Sequence, residues 1–201
     1  DYLPAPLEAR PGNAQAYYEL ARRAEETGDL ARAAADYLHA AELNPDRADA
    51  HDRLAVMAAG AGRRDEAVSH WRQALAAFSR QQDARRLPGG FWDDVRAALE
   101  NIGRAGALAP LKNDADRLLR TYVRRNGAYR VQPLLRGAFA APGDAASGLA
   151  WILDLSRAAA DPLRFLDALL EEPWLPASGR AALFRHLRDH AGERAAQAVG
   201  D

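Results

Sequence analysis

An all-α chain of paired amphipathic helices is the fold class this sequence predicts, and three observations predict it. Small and apolar residues recur at helical spacing through most of the 201 residues, glycine and proline punctuate those stretches at helix-sized intervals, and no stretch reads as a strand. The best defined stretch is YYELARRAEETGDLARAAADYLHAAELNP, from Tyr17 to Pro45, which divides into two short helices around Gly28-Asp29.

In the first helix of that stretch Tyr17, Leu20, Ala21 and Ala24 fall on one face, and in the second Ala33, Tyr37 and Ala40 do the same. Small residues at positions 21, 33 and 40 allow two helices to approach closely, with Tyr37 filling the space between them. Gly28 suits the positive φ that ends a helix, and Pro45 stops the second helix. About 34 residues further on the pattern returns, with His51, Leu54, Ala55 and Ala58, then Gly62, then Ala67, Trp71 and Ala74.

These two units resemble the tetratricopeptide repeat family over residues 13 to 78. The resemblance implies a right-handed superhelical solenoid of antiparallel helix pairs, continued here by irregular C-terminal helices. The chain departs from the family's pattern at His51, which replaces the leading aromatic, at Ala24 and Ala58, which replace a tyrosine, and at Ser79, which replaces the second closing proline.

Without a proline near position 79, the second helix of the second unit is free to run on to Leu87-Pro88-Gly89-Gly90. A third, degenerate pair follows: FWDDVRAALENIG carries Phe91, Trp92, Val95, Leu99 and Ile102 at helical spacing, and NDADRLLRTYVRRNG carries Leu118, Leu119, Tyr122 and Val123 before Asn126-Gly127. Further helices are expected near 129–140, 144–159, 162–171 and 178–199. Asp161-Pro162 caps the third of these and Ser178 the last. The expected organisation is an extended segment over 1–12, two repeat units with a long last helix over 13–87, and over 88–201 either a degenerate extension or a separate helical domain.

Composition narrows the chemistry. No cysteine is present, which excludes disulfides, thiol nucleophiles and cysteine-ligated zinc. The 27 basic and 28 acidic residues nearly cancel, so no global field draws the chain to nucleic acid or an anionic membrane. Lys112 is the sole lysine; the arginine bias points to a GC-rich bacterial genome. Arg136, Pro142 and Asp144 interrupt the most apolar region, so no membrane insertion is expected and the chain should be soluble, in a bacterial cytoplasm or periplasm. Starting at Asp1 without a basic and apolar leader, it reads as an excerpt or a processed product.

Candidate chemical motifs are few. His186 and His190 are spaced to share a helix face, as zinc ligands can be, but Asp189 is one methylene shorter than the glutamate of an inverted zincin motif, so no metal is expected. Arg117, Arg120 and Arg124 line one helix flank, diluted by Asp114 and Asp116. The neighbours Asp93-Asp94 and Glu171-Glu172 point about 100° apart and do not converge as an acid and base would. No phosphate-binding glycine loop or nucleophile elbow occurs, and neither catalysis nor a cofactor is expected.

What remains is a groove. The resemblance implies that the first helix of each unit lines a concave face, which assigns to it Gln15, Tyr18, Arg22, Glu25 and Glu26 in the first unit and Asp49, Asp52, Val56 and Ala59 in the second. The family's chaperone-tail clamp would need lysine and asparagines where Tyr18, Arg22 and Arg53 stand. The expected function is therefore a non-catalytic protein-interaction scaffold whose partner is another polypeptide segment. The alternative is a substrate-recruiting segment, for peptide or polysaccharide, of a larger enzyme or export machine.

Overall fold

The computed structural model describes residues 13–83, 87–126, 132–135 and 145–200. Among these the chain is helical throughout, with no strand: α1 Ala14–Glu26, α2 Leu30–Leu43, α3 Ala48–Gly60, α4 Arg64–Gln82, α5 Phe91–Arg104, α6 Leu108–Asn126, α7 Ala145–Ser156, α8 Pro162–Leu170 and α9 Ala177–Gly200, with a 3-10 turn over Gln132–Leu135. The expected extended segment over 1–12 lies outside the described residues. Two compact units divide the chain, Asp1–Asn101 and Ile102–Asp201, so the division falls inside α5 and not at the Pro88–Gly90 loop.

In the first unit α1 packs on α2, α2 on α3, and α3 on α4. Most residues assigned to packing are buried: Ala21, Ala33, Tyr37, Ala40, Ala55, Ala58, Trp71 and Ala74 are essentially inaccessible, whereas Tyr17 and Leu20 are only half-buried. Alanine at most of these sites brings the backbones close enough for one large ring per pair, Tyr37 or Trp71, to fill the seam.

Both turns are closed by the same device. Gly28 has φ +82° and Gly62 φ +75°. In the first turn the N–H of Asp29 donates to Ala24 O (2.9 Å) and that of Gly28 to Glu25 O (3.0 Å). In the second, Arg63 donates to Ala58 O (2.9 Å) and Gly62 to Ala59 O (3.0 Å), so the pattern repeats bond for bond. Asp29 then caps α2 by accepting from the Arg32 N–H at 3.1 Å, whereas Arg63 gives α4 no side-chain cap. No atom lies within 4 Å of a Cβ built at Gly28, so the backbone alone demands glycine there. Gly28→Ala is expected to cost about 1–2 kcal/mol through its left-handed φ, read as a lower thermal midpoint with unchanged helical circular dichroism.

A third turn of this kind was not expected. Gly106 has φ +63°, Ala107 N–H donates to Ile102 O at 3.0 Å, and Gly106 N–H to Gly103 O at 3.1 Å. It joins α5 directly to an α6 that begins at Leu108, five residues before the expected Asn113. Pro110 sits in the first turn of α6, where no intrahelical N–H is needed.

Two other boundaries differ from expectation. α4 ends at Gln82 with Asp83 as its cap, short of Pro88. Its added length is held to the loop after α2, where Arg80 Nε donates to Asp46 Oδ1 (2.7 Å) and Gln81 to the Asp46 carbonyl. Of the helix expected near 129–140, Gln132–Leu135 form a 3-10 turn, and the remainder lies outside the described residues. α9 starts at Ala177, so Ser178 lies within its first turn and does not cap it. Asp161 does cap α8, accepting from Arg164 N–H at 3.0 Å, with Pro162 at the first helical position.

In the second unit α7 packs on α6, α8 and α9, and α8 on α9. Arg120 of α6 is held by Asp116 (2.7 Å) and by Asp154 of α7, and the Trp151 indole donates to Asp116 Oδ1 at 2.9 Å. Of the arginine row, Arg120 is thus a cross-brace between helices. Arg124, for its part, donates to the Arg120 carbonyl at 3.4 Å.

Candidate functional site

A concavity of about 440 Å³ opens in the first unit, lined by Tyr18, Arg22, Glu25 and Glu26 of α1, Tyr37 of α2 and Arg53 of α3. Four of these six were assigned to the groove from the sequence. Tyr37 and Arg53 were not: Tyr37 was counted as core, which it also is, and Arg53 only as a departure from the clamp.

One ion pair spans the concavity. The Arg53 guanidinium holds the Glu25 carboxylate from α3 to α1, and the Tyr37 hydroxyl donates to the same Glu25 at 2.9 Å. Glu25 therefore fixes three helices at one point. Burial and the Glu25 hydrogen bond push the Tyr37 phenol well above its ordinary range, so it stays a neutral donor. At the rim Arg22 lies 3.3 Å from Glu26 and 3.6 Å from Glu19, exposed enough for these bonds to be exchanged cheaply for others.

Tyr18 does not stand free. Its ring meets Tyr37 edge-on, with centroids 5.4 Å apart, and the Arg47 guanidinium lies over it at 4.2 Å. Burial and the Asp49 carboxylate raise its phenol to about 12, against the opposing pull of Arg47, Arg53 and Arg22. Tyr18, assigned to the concave face, therefore also packs: the phenol forms part of the wall between α1 and α2.

Arg47 accounts for two more assigned residues. It donates to Gln15 Oε1 at 2.7 Å and pairs with Asp49 at 2.9 Å, so Gln15 and Asp49 hold the arginine that covers Tyr18 and do not line the concavity. Val56 and Ala59 are half-buried on α3 and are likewise not part of the lining.

Asp52 is a clear correction. It is 8% exposed and accepts from the Trp71 indole of α4 and from Asn101 of α5, each at 2.9 Å. Burial raises its carboxyl above the usual range, against the lowering effect of those two bonds and of Arg53. Asp52 and Tyr18 occupy the same repeat position, as do Trp71 and Tyr37. In both units, then, this position contacts the large aromatic of the second helix, by ring contact in the first and by hydrogen bond in the second.

The other candidates stand apart. His186 and His190 are exposed on α9 with ring centroids 6.3 Å apart, and among the described residues no group of three metal-ligating side chains comes together. Among the described residues no helix is long and apolar enough to cross a membrane. No protein-family model matches the chain, and no curated protein matches it at a significant level.

Proposed function

We propose that this chain is a tetratricopeptide-like scaffold, without catalysis of its own, that takes a segment of a partner polypeptide along the face formed by α1 and α3. The observation that carries the reading is the concavity itself: four of the assigned residues meet there around a braced floor of Tyr37, Glu25 and Arg53, with Arg22 and Glu26 at the rim. A floor in which one ion pair and one hydrogen bond join three helices at Glu25 keeps its shape when a ligand arrives, which lowers the cost of binding. Rim charges of both signs suit a peptide with its own backbone dipoles and mixed side chains.

A polysaccharide is less well served. Tyr37 is fully buried and one face of Tyr18 is covered by Arg47, so the concavity offers a sugar one ring face at most.

The test exchanges the rim charges. The double variant Arg22→Glu, Glu26→Arg keeps an ion pair at i, i+4 and replaces the exposed 3.6 Å contact with Glu19 by a like-charge neighbour that costs only about 0.2–0.5 kcal/mol, so it should melt close to the wild type, yet it inverts the polarity that a partner meets. Recovery of a bound partner from the source cell, quantified by mass spectrometry, should fall about tenfold or more, the equivalent of 1.4 kcal/mol. Equal recovery by wild type and variant would remove this face as the site.

A further inference from the structure

His51 of α3 and His70 of α4 lie against each other across the second helix pair, ring centroids 5.8 Å apart and planes 29° from parallel. His51 is 7% exposed. The Nδ1 atoms of both rings are buried and have no hydrogen-bond partner among the described residues. Two stacked imidazoles with unsatisfied, dry ring nitrogens are tolerable only while both are neutral, because a cation there would meet a second imidazole where water should be. From this geometry we propose that the His51–His70 stack is an acid-operated latch, closed at neutral pH and opened by protonation so that α3 and α4 separate.

At His51 the surrounding charges favour this direction: Arg80 of α4 opposes a further positive charge, and Asp49 of α3 offsets it only in part. At His70, Glu66 of α4 favours the cation more than Arg63, just before α4, opposes it, so burial is what keeps that ring neutral. Helix α2, also packed on α3, pairs Asp36 with Arg32 at 3.6 Å and places Glu42 3.8 Å from the His39 ring. Asp94 of α5 acts on Asp49. Burial, His70 and Arg80 together lower His51 to about 4, and burial lowers His70 as well.

The sign follows from linkage. The unfolded or opened chain binds a proton near the ordinary imidazole value of about 6.5, whereas folded His51 binds one only near 4. Stability from the closed stack is complete above the higher value and is lost progressively as pH falls toward the lower. The next residue along α3 is Asp52, which holds Trp71, so opening the stack also strains the bond that ties α3 to α4 and α5. The latch does not depend on what the concavity binds.

Hydrogen exchange of the full chain, read by mass spectrometry over residues 48–82 and corrected for intrinsic rate, tests it. Between pH 7.5 and 5.5, where ordinary carboxylates stay ionised, the opening constant should rise about tenfold. In His51→Phe, His70→Phe, which keeps two stacked rings but nothing to titrate, the rise should be lost. An equal rise in wild type and variant would overturn the proposal. Wild-type imidazole titration by nuclear magnetic resonance decides it without any variant: His51 should stay neutral to below pH 5, and an ordinary midpoint near 6.5 would equally overturn it.

Discussion

Trp71→Ala is expected to cost the first unit about 3–5 kcal/mol, enough to lower its melting transition by about 15 °C or more. Trp71 is the largest fully buried side chain of the chain's described core, 1% exposed, and its neighbours in the seam are mainly alanines that cannot move in to fill a cavity. The loss has two parts that can be separated. Trp71→Phe keeps most of the ring volume and removes only the indole N–H, which leaves Asp52 with Asn101 as its remaining side-chain donor; it should cost about 1–3 kcal/mol. Chemical unfolding of wild type, Trp71→Phe and Trp71→Ala should therefore give three separated midpoints in that order. If the phenylalanine variant were as stable as wild type, the hydrogen bond would be making no net contribution.

How far the sequence discloses this molecule depends on which physical demand each residue answers. Gly28 and Gly62 are legible because a positive φ at a helix end has almost one solution, and the two recur at a fixed interval. Gly106 answers the same demand, but the interval from Gly62 is longer, since α4 extends to Gln82 and a further loop precedes α5. Periodicity therefore loses it, although the chemistry of the turn is unchanged. The alanine positions of the first four helices are legible for a related reason, because close approach of two backbones excludes larger side chains.

The candidate site is less legible, and for a specific reason. Tyr18 lies about 100° around α1 from Tyr17, which belongs to the packing face. The buried stripe of a helix is itself about that wide, and a ring as large as Tyr37 reaches across it to Tyr18. Arg22 and Glu26, further round, do reach the rim. Arg53 could have been found by asking which cation neutralises a half-buried Glu25, but the sequence does not say that α3 turns that residue toward α1. The His51–His70 stack is hidden altogether: the two residues lie on different helices, and only the crossing of α3 and α4 sets their rings together.

Asp52 carries the second large expectation, and its variants distinguish a contact residue from a structural one. Asp52→Ala removes the acceptor of two donors at once, leaving the Trp71 indole N–H and the Asn101 amide without their partner, so a loss of about 2–4 kcal/mol is expected. Asp52→Asn should behave quite differently. Its carbonyl oxygen can still accept from Trp71, Asn101 can turn its own amide to present oxygen to the new NH2, and no charge is left in a buried position. This variant should fall within about 1 kcal/mol of wild type at pH 7. Its advantage should also depend on pH in a defined direction. Because the folded state raises the Asp52 carboxyl, wild type gains relative stability as the acid is protonated and loses it as pH rises through the folded value, whereas asparagine has no such dependence. The stability difference between Asp52→Asn and wild type should therefore move in favour of asparagine from pH 4 to pH 7. A groove contact would give the opposite set of results: Asp52→Ala as stable as wild type, and no pH-dependent difference between aspartate and asparagine.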